Sequence, residues 1–300
     1  MRIFLTGGTG YVGSAILQAC LEQGHELVCL VRPGSATKLD LSPHSAKLIT
    51  VVQGDVLDPS SLEKGMTGCD AVIHLVGIIR EFPNRGITFD KLHTTATDNM
   101  IKTAQKLSIR RFVHMSALGA RVGSRSGYSH TKGLAEQIVK ESGLDWTIFR
   151  PSVIFGPKDE FVNMLADMIR KTPVVPVIGT GEYRLQPVSL ANVAEGFVKS
   201  LSRLDTIGQA YEVGGTRSYS YNEMIDEIAS AVGKRRPKFH APLPIMWPVI
   251  TMMERFPFFP ITRPQLTMLL EGNTCDPSEF YETFDIKPVS FSEGIREYVR

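Results

Sequence analysis

The chain predicts an α/β fold, a doubly wound parallel sheet followed by a smaller C-terminal α/β lobe. Three observations carry this expectation. Short β-branched runs alternate with helix-period segments through the first half, the rhythm of parallel strands joined by crossover helices. A glycine-rich turn, Gly7-Gly8-Thr9-Gly10-Tyr11-Val12-Gly13, stands at the first junction between a strand and a helix. After Arg150-Pro151 the regular rhythm breaks into Pro-rich, interrupted segments, as expected of a lobe built from excursions at a sheet edge.

Six strands are predicted in order: Ile3–Thr6, Leu27–Val31, Leu48–Val52, Ala71–Val76, Phe112–Met115 and Trp146–Phe149. Several are apolar on consecutive residues, as strands covered on both faces should be. The intervening helices run from about Gly13 to Gln23, from Asp58 with Pro59 in the first turn, through Phe89–Leu107, and from Tyr128 to Ser142. Later helices are signalled at Phe161–Lys171, at Leu190–Leu201, and after two capping boxes, Ser220-Tyr221-Asn222-Glu223 and Ser290-Phe291-Ser292-Glu293. The division expected is a nucleotide-binding domain over 1–155, with later segments returning to it, and a lobe over 156–300.

Composition narrows the function. Of 300 residues, 43% are hydrophobic and 21% charged, the balance of a globular chain rather than a disordered one. Thirty-three basic against thirty-one acidic side chains leave +2, too near neutral for a nucleic-acid surface. Cys20, Cys29, Cys69 and Cys275 have no C-x-x-C spacing, the first three fall in apolar patterns, and the seven histidines form no metal-binding motif, so buried thiols at those three and no metal are expected. With Arg2–Leu5 reading as strand, no signal peptide and a cytoplasmic address are expected. The apolar stretch Ala241–Met253 is too short and too rich in proline to span a membrane. Core packing or a pocket lid is the favoured reading for it. Contact with a membrane or a protein complex through 241–261 is the lesser alternative.

The glycine turn has a chemical reason. The backbone there must approach a pyrophosphate closely, and the following helix offers unpaired N–H groups to it. Gly7, Gly10, Tyr11, Val12 and Gly13 are therefore expected at a dinucleotide of the Rossmann type. The second strand ends in Leu30-Val31-Arg32-Pro33, with a guanidinium where an NAD-binding protein usually places an acid. Arg32, assisted by Lys38, suits a 2′-phosphate, which favours NADP(H) over NAD(H). Asp55 and Val56, after the third strand, are placed to meet the adenine edge.

These residues resemble the extended and atypical short-chain dehydrogenase/reductase superfamily. T-G-G-T-G-Y-V-G is similar to its T-G-x-x-G-x-x-G turn, Gly54-Asp55-Val56 to its adenine-side motif, and Tyr128-Ser-His-Thr-Lys132 to its Y-x-x-x-K. His74-Leu75-Val76-Gly77 resembles its fourth-strand motif, which implies that Leu75, Val76 and Gly77 pass under the cofactor ribose. Pro151 belongs to a further landmark, Arg150–Pro157. Phe112–Ala120, Gln186-Pro187-Val188 and Ile261–Gln265 are similar to the branch that contains the nucleotide-binding accessory subunit of respiratory complex I and its bacterial relatives.

Tyr128 and Lys132 lie four apart on one predicted helix and so share a face. A nearby ammonium favours phenolate, so a lowered Tyr128 pKa is expected, with Tyr128 as acid/base. The resemblance implies that Lys132 also holds the nicotinamide ribose. Ser116 is the candidate to polarise a substrate carbonyl; another register puts Ala117 there, with Ser116 only lining the pocket, and both registers stand. Arg184 matches an Arg that contacts substrate phosphates in nucleotide-sugar enzymes of the superfamily. Val153 and Phe155 replace the Asn and Tyr those enzymes carry after the sixth strand. The function expected is oxidation or reduction of a hydroxyl/carbonyl pair, including the epimerase or dehydratase variants on a nucleotide sugar. A non-catalytic NADPH-binding accessory or sensor protein is the alternative.

Overall fold

A computed structural model describes residues 1–39, 45–256 and 261–299. Its central sheet has seven strands: β1 (Arg2–Thr6), β2 (Glu26–Val31), β3 (Ile49–Gln53), β4 (Ala71–His74), β5 (Arg111–Met115), β6 (Asp145–Pro151) and β11 (Gln209–Val213). Their order, β11-β6-β5-β4-β1-β2-β3, reverses direction between β1 and β4. The strands run parallel, with Thr6 opposite both Leu30 and His74, and His74 opposite His114. A doubly wound sheet of this kind puts its ligand crevice at the strand C-termini, where the order reverses.

Side chains alternate across this sheet. Phe4, Val28, Val72, Phe112 and Ile148 share one face and form a core with Leu62 and Met66 of α2 (Pro59–Met66), Met100 and Ala104 of α3 (Ala96–Lys106), and Val139 of α4 (Gly127–Glu141). Ile16 and Cys20 of α1 (Tyr11–Glu22) are fully buried. Phe149 is boxed in by Phe197, Tyr211, Phe280 and Phe284, with ring centroids 4.5 to 6.1 Å away. Cys20, Cys29 and Cys69 are buried free thiols, as their apolar settings suggest.

Contacts divide the chain into two compact units. The first comprises Met1–Pro151, Val193–Glu212 and Glu279–Ile286; the second comprises Ser152–Asn192, Val213–Ser278 and Lys287–Arg300. In the second, Val162, Leu165 and Ile169 of α5 (Glu160–Lys171) meet Met224, Ile225 and Ile228 of α7 (Tyr221–Val232). The Ser220/Glu223 capping box is formed, each side chain bonding the other residue's backbone N–H. Strands Val175–Ile178 (β8) and Lys238–Ala241 (β13) pair in parallel beside this core.

Four expectations are corrected. β4 ends at His74 rather than Val76, because its ladder to β1 ends at the Thr6–His74 pair. The helix expected over Phe89–Leu107 opens with a π-helical turn at Asp90–Thr95, and just past it the Thr97 hydroxyl donates to the His93 carbonyl at 2.6 Å. At the C-terminus, the Ser290 hydroxyl pairs with Ser292 instead of capping, and the helix there spans only Phe291–Gly294. Ala241–Met253 is not chiefly core, since α8 (Leu243–Met253) buries only Ile250.

Candidate active site

The glycine turn leaves β1 and enters α1. A Cβ on Gly13 would lie 2.0 Å from the Gly7 carbonyl oxygen, so no larger residue fits there. Gly7 itself has φ +80 and packs on Leu75. A Cβ on Gly10, by contrast, would meet only the Gly7 oxygen, at 3.2 Å. Gly10 is the N-cap of α1, no side chain caps it, and the first turn, from Tyr11, contains no acid. Open space, uncapped N–H groups and the positive end of a helix dipole together fit a dinucleotide pyrophosphate.

Around the turn, the C-terminal ends of β2, β3 and β4 carry the other expected residues. Arg32 directly follows β2 and is exposed, and its carbonyl accepts a bond from the Ser35 N–H at 3.0 Å. Lys38, on the following helical turn, is exposed too. Asp55 uses one carboxylate oxygen to accept the Leu57 N–H at 2.9 Å, which fixes its turn. Val56 is buried in the core, so its side chain serves packing, while Gly77 is exposed at the end of the fourth-strand motif. Pro151 closes β6, its carbonyl taking the Leu118 N–H at 3.0 Å.

Tyr128 and Lys132 sit on α4, whose N-cap is Ser126. Lys132 is buried, and its ammonium donates to the Met115 carbonyl at 2.6 Å, tying α4 to the end of β5. Burial lowers its pKa to about 8, although Glu136 one turn on favours the charge. A Cβ on Gly77 would stand 3.7 Å from the Lys132 nitrogen and 3.6 Å from Nε2 of His93, so ammonium and imidazole border the same backbone. The expected lowering of the Tyr128 pKa is not found. Burial pushes it up to about 12, and the Lys132 charge is spent on Met115.

Several residues that sequence reasoning missed complete the setting. The ring of Tyr128 meets Phe89 and His93 edge-on, with centroids 5.8 and 5.3 Å away, and those two rings stack on each other at 5.4 Å. Nδ1 of His93 lies 2.9 Å from the Thr131 hydroxyl, whose own proton goes to the Gly127 carbonyl at 2.8 Å. Nε2 lies 3.1 Å from both the N–H and the carbonyl of Ile78. Beneath lie His74, bonded to Thr6 at 2.8 Å, and His114, stacked on His74 at 5.5 Å. Nε2 of His74 and both ring nitrogens of His114 are buried without a protein partner. Burial first, and the Lys132 charge second, hold all three imidazoles neutral: His74 near 3, His93 near 2, and His114 well below its ordinary value.

Below Lys132, Glu136 is buried and gripped by Arg150 through two bonds of 2.8 and 2.6 Å. Burial raises its pKa, but the bonds and charge of Arg150, with the charge of Lys140, outweigh that and keep it ionised. Ser116 is buried, and its hydroxyl has no hydrogen-bond partner in the protein. Arg184 belongs to the second unit, where its guanidinium bonds Ser218 at 3.1 and 2.7 Å and lies 3.7 Å from Glu223. Among the described residues no cluster suited to a metal is found.

A glycine cradle on an uncapped helix, at the reversal of a parallel sheet and beside a half-buried Tyr and a buried Lys, defines a dinucleotide-binding protein of the oxidoreductase type. The chain belongs to the NAD(P)H-binding family, whose model matches residues 7–202, and is of the extended short-chain dehydrogenase/reductase type. It is 26% identical over 74% of its length to NADH dehydrogenase [ubiquinone] 1 alpha subcomplex subunit 9 of Dictyostelium discoideum, and spans 61% of that protein. It is 25% identical over 86% of its length to a 3 beta-hydroxysteroid dehydrogenase/Delta 5-->4-isomerase of Mycobacterium tuberculosis, of which it spans 76%. A dTDP-glucose 4,6-dehydratase of Streptomyces venezuelae, solved with NAD bound, shares the fold with TM-score 0.77 and 19% identity, covering 100% of this chain and 96% of that one.

Proposed function

We propose that the protein is an NADP(H)-dependent oxidoreductase acting on a hydroxyl/carbonyl pair of an apolar substrate. The observation that carries this reading is the pairing of a half-buried Tyr128 with a buried Lys132 at the same sheet edge as the glycine cradle. When bound, the cofactor supplies or accepts a hydride. The chain's residues do the rest. Gly7, Gly10 and Gly13 with the N–H groups of Tyr11 and Val12 receive the pyrophosphate, and Asp55 offers its second carboxylate oxygen to the adenine. Arg32 and Lys38 meet a 2′-phosphate. Lys132 anchors the ribose beside Gly77. Tyr128 exchanges a proton with the substrate oxygen, its ring angle set by Phe89 and His93. A Lys132 ammonium facing the phenol would lower a pKa now held near 12. Replacement of Asn and Tyr by Val153 and Phe155, with a hydroxysteroid enzyme among the relatives, supports an apolar substrate over a nucleotide sugar.

One arrangement favours a second reading, a binding-only accessory protein. Lys132 has an internal task here, on Met115, and complex I subunits stand among the relatives. Hydride transfer measured against hydroxysteroids, quinones, ketones and nucleotide sugars separates the two. The enzyme reading expects turnover with an apolar member, lost in Tyr128→Phe while NADPH still binds. Turnover that survives in Tyr128→Phe overturns the mechanism.

A further inference from the structure

The second unit presents an apolar helix that its own core leaves uncovered. Of the eleven residues of α8, only Ile250 is buried, and Thr251 is the sole polar side chain. Ile245, Val249 and Met252 follow i, i+4, i+7 spacing and so form one stripe, exposed by 64, 37 and 58%. Trp247 is 42% exposed, and Phe239 on β13, just before the helix, is 61% exposed. Five of the twelve large hydrophobics exposed among the described residues thus fall within fourteen positions.

Charge is gathered at the same place. Between Lys234 and Phe256 stand Lys234, Arg235, Arg236, Lys238 and Arg255 against Glu254; Glu254 is paired with Arg263, and Lys238 with Asp226. This segment carries +4 in a chain whose total is +2, so the remainder is acidic by two charges. Lys234, Arg235 and Arg255 are exposed. A second copy of the chain would set +4 against +4, which opposes self-association through this face. Apolar side chains with an exposed Trp, bracketed by basic residues, match the boundary between headgroups and acyl chains of an anionic bilayer. No helix among the described residues is long and apolar enough to cross a membrane, so the helix would lie in the surface.

We propose that α8 and the basic segment before it form a peripheral docking surface for an anionic lipid bilayer. The test is sedimentation of the full chain with vesicles of phosphatidylcholine alone and of phosphatidylcholine containing phosphatidylglycerol. In parallel, Trp247 fluorescence is read in a Trp146→Phe background. The expected result is binding to the anionic vesicles only, a blue shift of Trp247, and weakening by salt. Arg235→Gln should lower partition about fivefold, the usual effect of one basic charge near such a surface. Ile245→Asp with Met252→Asp should lower it at least about tenfold, while circular dichroism and NADPH affinity stay unchanged. Three results would overturn the proposal. One is no binding to either vesicle; another is binding that ignores the Ile245/Met252 substitutions. The third is a concentration-dependent dimer abolished by them without vesicle binding, which would make the stripe a contact between copies.

Discussion

Three buried neutral histidines under the Tyr–Lys pair make the protein sensitive to mild acid. Burial and the Lys132 charge hold His74 near 3 and His93 near 2, with His114 also far below the 6.5 of a free imidazole. The unfolded chain protonates all three as pH falls below 6.5, while the native state cannot. Stability from these groups is therefore complete above about pH 6.5 and is lost progressively as pH falls toward 3. Between pH 7.5 and 5.5 each histidine removes about 1.4 kcal/mol, and the three together about 4 kcal/mol, a large share of the 5–15 kcal/mol typical of a domain. Lys132 adds little slope in this window, because its pKa of about 8 lies above the range and it is mostly protonated in both states. Carboxylates such as Glu136, held below their ordinary values, act only in more acid solution. The assay is urea unfolding followed by circular dichroism at pH 7.5, 6.5 and 5.5. His114→Phe, which replaces an imidazole with no partner on either nitrogen by a ring of similar size, should flatten the pH slope by about a third. A stability independent of pH across this range would refute the reasoning, as would native resonances of His74, His93 or His114 titrating near 6.5.

Other outcomes follow from the same geometry. Gly10→Val should abolish NADPH binding while leaving the fold intact, since the added side chain meets little protein but fills the cradle; normal affinity in a dialysis assay would contradict this. Gly13→Ala should instead damage the turn itself and lower the thermal midpoint. Tyr128→Phe should cost about 10²–10⁴-fold in turnover with near-normal cofactor affinity, checked by steady-state kinetics beside titration. Arg150→Met leaves Glu136 buried without its strongest partner and should destabilise the fold by about 3–5 kcal/mol in urea melts.

Much of the nucleotide-binding half was legible because its signals are local. The apolar runs of β1 to β6 and the glycine turn each report on a few adjacent residues, and the four-residue spacing of Tyr128 and Lys132 survives wherever α4 begins. What escaped depends on distant partners. β11 is visible only as Tyr211 and Val213 alternating with exposed residues, so its place beside β6 could not be read. His93 is a lone imidazole in a helix-period segment; only the fold brings it to Tyr128, thirty-five residues later in the chain. Glu136 and Arg150 read as ordinary charges until β6 carries the guanidinium onto α4. The raised Tyr128 pKa reflects burial and a carbonyl competing for Lys132, neither of which spacing reveals.

The central claim, that this sheet edge holds NADP(H) with Arg32 at the 2′-phosphate, is tested most directly by calorimetric titration of the protein and of Arg32→Ala with NADPH and NADH. Loss of one charge-assisted contact is worth roughly 1.5–3 kcal/mol, tenfold or more in affinity. NADPH should therefore bind at least about tenfold more tightly than NADH to the native protein, and Arg32→Ala should remove most of that difference. Tighter binding of NADH, or discrimination unchanged in Arg32→Ala, would contradict the account.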